Sequence, residues 1–244
     1  MEYIVIFSSG RSGGNLLDNI IKKYRNVKVL GEFHNRRLGS IFKDASYAFE
    51  RCGRYAISNE KLYDILNNRY KDKYDIITTR FHNYHFKFNY NYDAYDLFDN
   101  FHKIILYRES VINKLVSMLI VLNHNNRWHY SKNDKLPQYD KYSIYVGRNY
   151  VEHQLNCLNG YYNGIIDRWG SENIEFVKYE DLIKNNDISH IANRFGFSGF
   201  NDNIQIPTVH INKNDDGYKR VINYDELKDL KLELKKTDSG WRFA

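Results

Sequence analysis

The residues best suited to chemistry stand in one glycine-rich, basic stretch near the start of the 244-residue chain. Residues 8–15 read S-S-G-R-S-G-G-N, so one arginine, three serines and three glycines lie within eight positions. Backbone N–H groups in such a loop, together with a guanidinium, bind phosphate or sulfate when a helix begins behind them. Asn15 can start that helix, because apolar residues then repeat at helical spacing, at Leu16, Leu17, Ile20 and Ile21. The loop therefore predicts an anion site formed by Ser9, Gly10, Arg11, Ser12, Gly13, Gly14 and Asn15.

This loop differs from the phosphate loop of ATP- and GTP-hydrolysing enzymes, G-x-x-x-x-G-K-[ST]. After Gly14 the chain has Asn15 and Leu16, where that pattern needs Lys and then Ser or Thr to reach terminal phosphates and Mg²⁺. We therefore expect no metal and no metal-dependent nucleotide hydrolysis. The alternative interpretation is a glycine turn that only lets a strand and a helix pack closely.

Further candidate residues follow the ends of predicted strands. Glu32 comes after a short apolar strand at 27–30, and a strand at 74–81 contains Arg80 and leads to His82 and His85. Ligands of open α/β sheets lie outside the carboxyl ends of the strands, so these side chains can share a cleft with the loop. A carboxylate or imidazole there could take a proton from a substrate. Alternatively, Glu32 caps a loop or pairs with Arg36 or Arg37, and the histidines are structural.

A second anion contact is predicted at Arg108 and Ser117. The apolar strand 103–107 ends in Arg108, and Ser117 lies inside the helix predicted at 111–122. A guanidinium can bind an anion with two hydrogen bonds, and a hydroxyl can add one more. The alternative is an arginine paired with a surface carboxylate and a serine that fills a helix face.

The elements that must position these side chains alternate between strand and helix. The pattern predicts strands at 3–7, 27–30, 74–81, 103–107 and 174–179, and helices at 60–70, 93–101, 111–122, 147–169 and 188–195, with a last helix starting near 223. Alternation of this kind is typical of an α/β domain with a parallel sheet. We expect one domain over residues 1–244, with a candidate lid loop at 123–146, where polar residues show little periodicity.

Bulk properties restrict the classes of partner and location. The net charge of +6 favours an anionic partner and leaves nucleic acid open. Two cysteines, Cys52 and Cys157, cannot build a disulfide framework, which fits a reducing compartment. The N-terminus lacks a signal pattern and no apolar run can span a bilayer, so a cytoplasmic location without an integral membrane segment is expected.

Taken in order, these segments resemble the sulfotransferases that use 3′-phosphoadenosine 5′-phosphosulfate (PAPS). The family's first loop, usually R/K-S-G-T/S-T/N/S, is similar to residues 11–15, and its strand-end arginine and helical serine are similar to Arg108 and Ser117. The segment Y-E-D-L at 179–182, mainly structural in the family, matches as well. Residues 30–35, L-G-E-F-H-N, look like the segment that supplies a glutamate base in the bacterial and carbohydrate-directed branch, and residues 127–129 and 223–226 are similar to that branch too.

The resemblance implies a P-loop nucleotide-kinase-like fold, with a parallel central sheet flanked by helices. It implies that the first loop binds the 5′-phosphosulfate of PAPS and that Arg11 stabilises the leaving oxygens. Arg108 and Ser117 would bind the 3′-phosphate, and Lys219 and Arg220 would close over it. The product would be adenosine 3′,5′-bisphosphate (PAP), and no metal would be needed.

Glu32 would be the base that activates a hydroxyl acceptor, with His82 and His85 as rivals. The residues expected to line the acceptor pocket are Glu32, His34, Arg80, His82, Trp128 and His129. The acceptor would be a small molecule or glycan, most simply a carbohydrate or glycolipid, with no nucleic-acid partner, and a homodimer is allowed. One departure is Gly14, which replaces the family's usual hydroxyl residue and so predicts weaker binding of the donor.

Two other functions stay open. One is a nucleotide or small-molecule kinase on a related fold, disfavoured by the missing Lys-Ser/Thr pair. The other is a non-catalytic protein that binds anions or nucleic acid, for which the basic charge and 22 tyrosines give weak support.

Overall fold

A computed structural model describes residues 1–32, 59–82, 96–123, 143–185, 187–204 and 221–244. Within them, five parallel strands form one sheet: β1 (Glu2–Ser8), β2 (Val27–Val29), β3 (Ile76–His82), β4 (His102–Tyr107) and β5 (Ile174–Lys178). Their order is β2-β3-β1-β4-β5, with β1 in the centre. The predicted α/β fold with a parallel sheet is therefore confirmed.

Six α-helices belong to the described part of the chain: α1 (Gly14–Ile21), α2 (Asn59–Tyr70), α3 (Val111–Asn123), α4 (Arg148–Trp169), α5 (Tyr179–Asn185) and α6 (Ser189–Phe195). Five of them match predicted helices within a few residues, and α5 was not predicted. None of the described helices is long and apolar enough to cross a membrane.

Two predicted helices were wrong, and a pair of strands was not predicted. The described part of the helix predicted at 93–101 is a short 3₁₀ turn, Asp96–Phe98, and the helix predicted to start near 223 is another, Tyr224–Glu226. An antiparallel hairpin that was not predicted closes the chain, with β6 (Leu234–Thr237) and β7 (Gly240–Phe243). Most of the candidate lid at 123–146 lies outside the described residues; at its end, Ile144 forms a β-bridge with Val221.

The core lies on both faces of the sheet, as the apolar run of β1 requires. Side chains alternate along a strand, so Val5 and Phe7 belong to one hydrophobic cluster and Ile4 and Ile6 to the other. Residues of α2, α3 and α4 join the first cluster, and residues of α1, α5 and α6 join the second. Full burial of one such side chain contributes about 1.5–3 kcal/mol to the stability of the fold. The buried residues of β1 therefore hold this strand, and the start of the loop that follows it, in position.

Candidate functional site

The glycine-rich loop leaves the carboxyl end of β1 and turns into α1. Gly13 precedes the helix with φ 87°, and no side chain caps it, so the prediction that Asn15 starts the helix was wrong. Arg11 has φ 65°, the only positive φ among the described residues other than glycine. Because left-handed backbone costs an L-residue about 1–2 kcal/mol, this conformation is maintained by the surrounding packing.

Two of the predicted anion-binding serines face the protein interior. Ser9 and Ser12 are 2% and 1% exposed, and their hydroxyl oxygens lie 2.5 Å apart. The backbone N–H of Ser12 donates to the carbonyl of Ser9 at 3.2 Å. The hydroxyl of Tyr162 donates to the Leu106 carbonyl at 3.1 Å and contacts Ser9 at 3.4 Å, and burial raises the pKa of Tyr162 to about 12. These hydroxyls therefore stabilise the loop from inside.

The two predicted anion contacts meet in the structure. The Nε of Arg11 donates to the Oγ of Ser117 at 2.9 Å, although the two residues are 106 positions apart. Arg108 is 4% exposed, and its Nη1 lies 3.4 Å from the Arg11 carbonyl oxygen, to which it donates. The loop after β1 and the turn after β4 thus bring two guanidiniums and a hydroxyl to one place. These groups are hydrogen-bond donors, which suits an anion that only accepts.

The Y-E-D-L segment holds this arrangement in position. The guanidinium carbon of Arg108 lies 4.6 Å from the centre of the Tyr179 ring. A Cβ on Gly13 would come within 2.1 Å of the same ring, so only glycine fits between the loop and Tyr179. The carboxylate of Glu180 accepts hydrogen bonds from the N–H groups of Glu109 and Ser110, both at 3.2 Å.

Glu32 lies beside the loop in a buried network of charged groups. Its Oε1 accepts from Arg80 Nη2 at 3.1 Å and from His82 Nε2 at 2.8 Å. The side chains of Arg80 and His82 are 6% and 4% exposed. Of the predicted acceptor residues, the structure thus brings Glu32, Arg80 and His82 together. The alternative partners of Glu32, Arg36 and Arg37, lie outside the described residues.

His82 connects Glu32 to the last residue of β1. Its Nδ1 lies 2.8 Å from the hydroxyl of Ser8, while its Nε2 faces the Glu32 carboxylate. Ser8 is completely buried. An imidazole held between these two groups fixes the position of the carboxylate, which suits a positioning role for His82.

Arg80 also extends along the start of α1. Its Nη2 donates to the Asn15 side-chain oxygen at 2.8 Å and lies 3.3 Å from the buried carboxylate of Asp18. A Cβ on Gly14 would lie 1.9 Å from Arg80 Nη1. The guanidinium therefore occupies the space in which any side chain at position 14 would lie, and this is a physical reason for the glycine that departs from the family's pattern.

Asp18 is the member of this network that the sequence did not single out. It lies on the buried face of α1, and burial raises the pKa of Asp18 although the Arg80 guanidinium opposes that shift. The signal in the sequence was a lone aspartate among apolar helix residues that face the sheet. Such a position needs a partner, and Arg80 supplies it.

The remaining predicted site residues lie outside the described part of the chain. These are His34, His85, Trp128, His129, Lys219 and Arg220. Their predicted roles stay predictions.

No protein-family model matches the sequence, and no curated protein sequence matches it either. Among solved structures, a similar one is the sulfotransferase domain of the olefin synthase from Synechococcus PCC 7002. That likeness has a TM-score of 0.41 and 14% sequence identity, and it covers 82% of this chain and 74% of the other. Because similarity at this level assigns no family, the function of the chain is inferred from its own residues.

Proposed function

We propose that this chain is a sulfotransferase that moves a sulfuryl group from PAPS to a hydroxyl acceptor, without a metal. The observation that carries the proposal is the meeting of Arg11, Ser117 and Arg108, which come from the loop after β1 and from the turn and helix after β4. In the family that these motifs resemble, the same positions bind the two ends of PAPS that carry negative charge.

The donor fits the residues present on two counts. Guanidiniums and a hydroxyl match phosphate and sulfate oxygens, which accept but do not donate. The loop backbone is also held in place before the donor binds, since the Tyr179 ring occupies the space in which a side chain at Gly13 would lie. We infer that residues 10–15 hold the 5′-phosphosulfate and that Arg108 and Ser117 hold the 3′-phosphate. PAPS supplies the activated sulfuryl group, and the chain supplies position and charge.

In this proposal Arg11 stabilises the charge that develops on the leaving phosphate oxygens. One preorganised donor of this kind contributes roughly 3–4 kcal/mol to lowering the barrier, or about 10²–10³ in rate. Its left-handed backbone and its hydrogen bond to Ser117 hold the guanidinium in place before the substrate binds. Preorganisation of this kind avoids the cost of reorienting the donor during the reaction.

Glu32 is the proposed base for the acceptor hydroxyl. Arg80 and His82 both donate to the same carboxylate oxygen, Oε1. We assign this carboxylate to the substrate hydroxyl, and the two donors orient it. By resemblance of residues 30–35 to the carbohydrate-directed branch, the acceptor we propose is a carbohydrate or glycolipid.

Calorimetric titration with PAP tests the donor site. We expect binding that a chelator does not affect and that is lost in Arg11→Ala and in Arg108→Ala. Arg194→Ala, which removes an arginine paired with Glu175 on the surface, should bind as the wild type does. Absence of binding to the wild type would refute the proposal. Turnover of ATP that needs Mg²⁺ would then favour the kinase, and oligonucleotide binding with a steep salt dependence would favour the nucleic-acid binder.

Turnover of PAPS with a panel of sugar acceptors tests the base. Glu32→Gln keeps the shape of the side chain but removes the proton acceptor, so kcat should fall by about 10²–10⁴ while PAP affinity is retained. Wild-type turnover in Glu32→Gln, together with its loss in His85→Ala, would assign the base to the histidine instead.

A further inference from the structure

Lys114 is a buried lysine that the proposed mechanism does not yet use. It lies in the second turn of α3, one helical turn before Ser117, and is 8% exposed. Residues three apart on a helix lie on neighbouring surface, so Lys114 and Ser117 share a side of α3. Within the described part of the chain, the Lys114 ammonium forms no hydrogen bond and no ion pair.

The groups around Lys114 explain why its charged form is costly. Among the described residues, the groups that act on its charge are Arg108, at the carboxyl end of β4, and the Cys157 thiol on α4. Burial, with the positive charge of Arg108 added, lowers the pKa of Lys114 to about 8, and the Cys157 thiol opposes the shift only in its ionised form. The carboxylate nearest in sequence, Glu109, pairs with Lys178 at 3.1 Å. Glu180, which lies against the turn before α3, accepts from the N–H groups of Glu109 and Ser110.

Lys103, another buried lysine of this chain, has partners that Lys114 lacks among the residues that the structure describes. It is also 8% exposed, but its Nζ donates to the Asp99 carbonyl at 2.7 Å and lies 5.0 Å from the centre of the Trp169 ring. Lys103 stands near the amino end of β4, whereas Arg108 follows the carboxyl end. A lysine buried beside an arginine, without such partners, is typical of a site that is completed by an anion.

We propose that Lys114 is a further ligand of the 3′-phosphate of the donor nucleotide, beside Arg108 and Ser117, and that it takes up a proton when that phosphate binds. This inference rests on the proposed function. It adds Lys114 to the residues that the resemblance to sulfotransferases implies at this phosphate, which are Arg108, Ser117, Lys219 and Arg220.

Because Lys114 takes up a proton on binding, the affinity for PAP should depend on pH. A bound phosphate favours the ammonium form of Lys114 and raises its pKa above the value of about 8 in the free protein. Below pH 8 the lysine is already charged, so affinity should change little with pH there. Above pH 8 each binding event must bring a proton, and affinity should fall by up to about tenfold per pH unit.

The other groups that face Lys114 do not produce the same slope. The measurements are made in a Cys157→Ser background, which removes the thiol that lies near Lys114 and 3.6 Å from His153 Nε2. The phosphate itself titrates near pH 6, below the range used.

The experiment is calorimetric titration of the full chain with PAP and with adenosine 5′-monophosphate, from pH 7 to pH 9.5. We expect Lys114→Met to weaken PAP binding about tenfold to hundredfold at pH 7, as for the loss of one hydrogen bond to a charged group. Its affinity should no longer fall above pH 8. Binding of the monophosphate, which lacks the 3′-phosphate, should not change, and Lys103→Met should bind PAP with the wild-type slope.

A second measurement compares the free energy of unfolding of Lys114→Met and of its Cys157→Ser parent, both without ligand. Methionine removes an unpartnered buried charge and keeps the length of the side chain, so Lys114→Met should be at least as stable as the parent. Lower stability would assign Lys114 a structural partner and overturn the inference. PAP binding that is equally tight in the parent and in Lys114→Met would overturn it and leave the proposed function intact. Absence of PAP binding to the parent would overturn both.

Discussion

Gly14 and Arg80 form a pair whose coupling can be measured. A Cβ at position 14 would meet three atoms of Arg80: Nη1 at 1.9 Å, Cδ at 2.6 Å and Cζ at 2.7 Å. Since these atoms span the end of the side chain, a small rotation of the guanidinium does not remove the overlap. Gly14→Ala should therefore displace Arg80 from Asn15, Asp18 and Glu32 together.

Two opposing contributions set the effect of Gly14→Ala on the free energy of unfolding. Breaking a buried ion pair costs about 3–5 kcal/mol, and we take the lower value because Arg80 is displaced and not deleted. Gly14 begins α1 with no positive φ, so alanine gains up to about 1 kcal/mol from its helix propensity. The net expectation is that Gly14→Ala lowers the free energy of unfolding by about 2 kcal/mol.

Urea unfolding of a double-mutant cycle measures this coupling. In an Arg80→Ala background the overlap is absent, so Gly14→Ala should no longer destabilise, and the interaction energy should be about 3 kcal/mol. Gly164→Ala is the control: this glycine lies inside α4 with nothing within 4 Å of a new Cβ, and the change should be neutral or stabilising. An equal cost of Gly14→Ala in both backgrounds would refute the assignment of Arg80 to that space.

Three further predictions concern single side chains of the site. Arg11 has φ 65°, so Arg11→Gly should be more stable than Arg11→Ala by about 1 kcal/mol in urea unfolding, while both lose PAP binding. Burial raises the pKa of Asp18, so the folded chain holds that proton more strongly than the unfolded chain. Stability should then fall as pH rises from about 4 through the folded pKa, and Asp18→Asn should abolish this dependence in unfolding curves taken at several pH values. Glu180→Ala removes the acceptor of the Glu109 and Ser110 N–H groups and should lower the free energy of unfolding by about 2 kcal/mol, whereas an unchanged midpoint would show that water replaces it.

The sheet, and the edge of it at which Arg11 and Arg108 lie, could be predicted from the sequence because both follow from local patterns. Strands buried on both faces appear as continuous apolar runs, and β1 and β4 are completely or almost completely buried along their inner residues. Arg11 and Arg108 follow directly after such runs. Once these strands are neighbours in a parallel sheet, the two loops must lie at the same edge, and the hydrogen bond from Arg11 to Ser117 is a consequence.

The C-terminal hairpin was missed because its sequence carries a weak strand signal. The strand β6, Leu234–Thr237, contains two exposed lysines, and β7 is only four residues long. What stabilises β7 is distant in sequence: Phe243 packs against Tyr162, and the Asn163 side chain exchanges two hydrogen bonds with the Phe243 backbone, both at 2.9 Å. Such tertiary contacts override local propensity and cannot be deduced from a window of neighbouring residues.

The departure at Gly14 shows where the sequence alone gave an incomplete account of the site. The sulfotransferases that the loop resembles usually have a hydroxyl residue at this position. The glycine therefore predicts weaker binding of the donor. In the structure the vacated space holds the end of Arg80, which arrives from β3, the neighbouring strand of β1. At this position the loop has no side chain, and the Arg80 guanidinium packs against it, itself held by Asp18 and Glu32. Because the same guanidinium touches Gly14 and the proposed base, a substitution at Gly14 should impair turnover through Glu32 even when PAP still binds. A Gly14→Ala variant with weaker PAP binding and unchanged kcat would instead confine the role of this position to the donor loop.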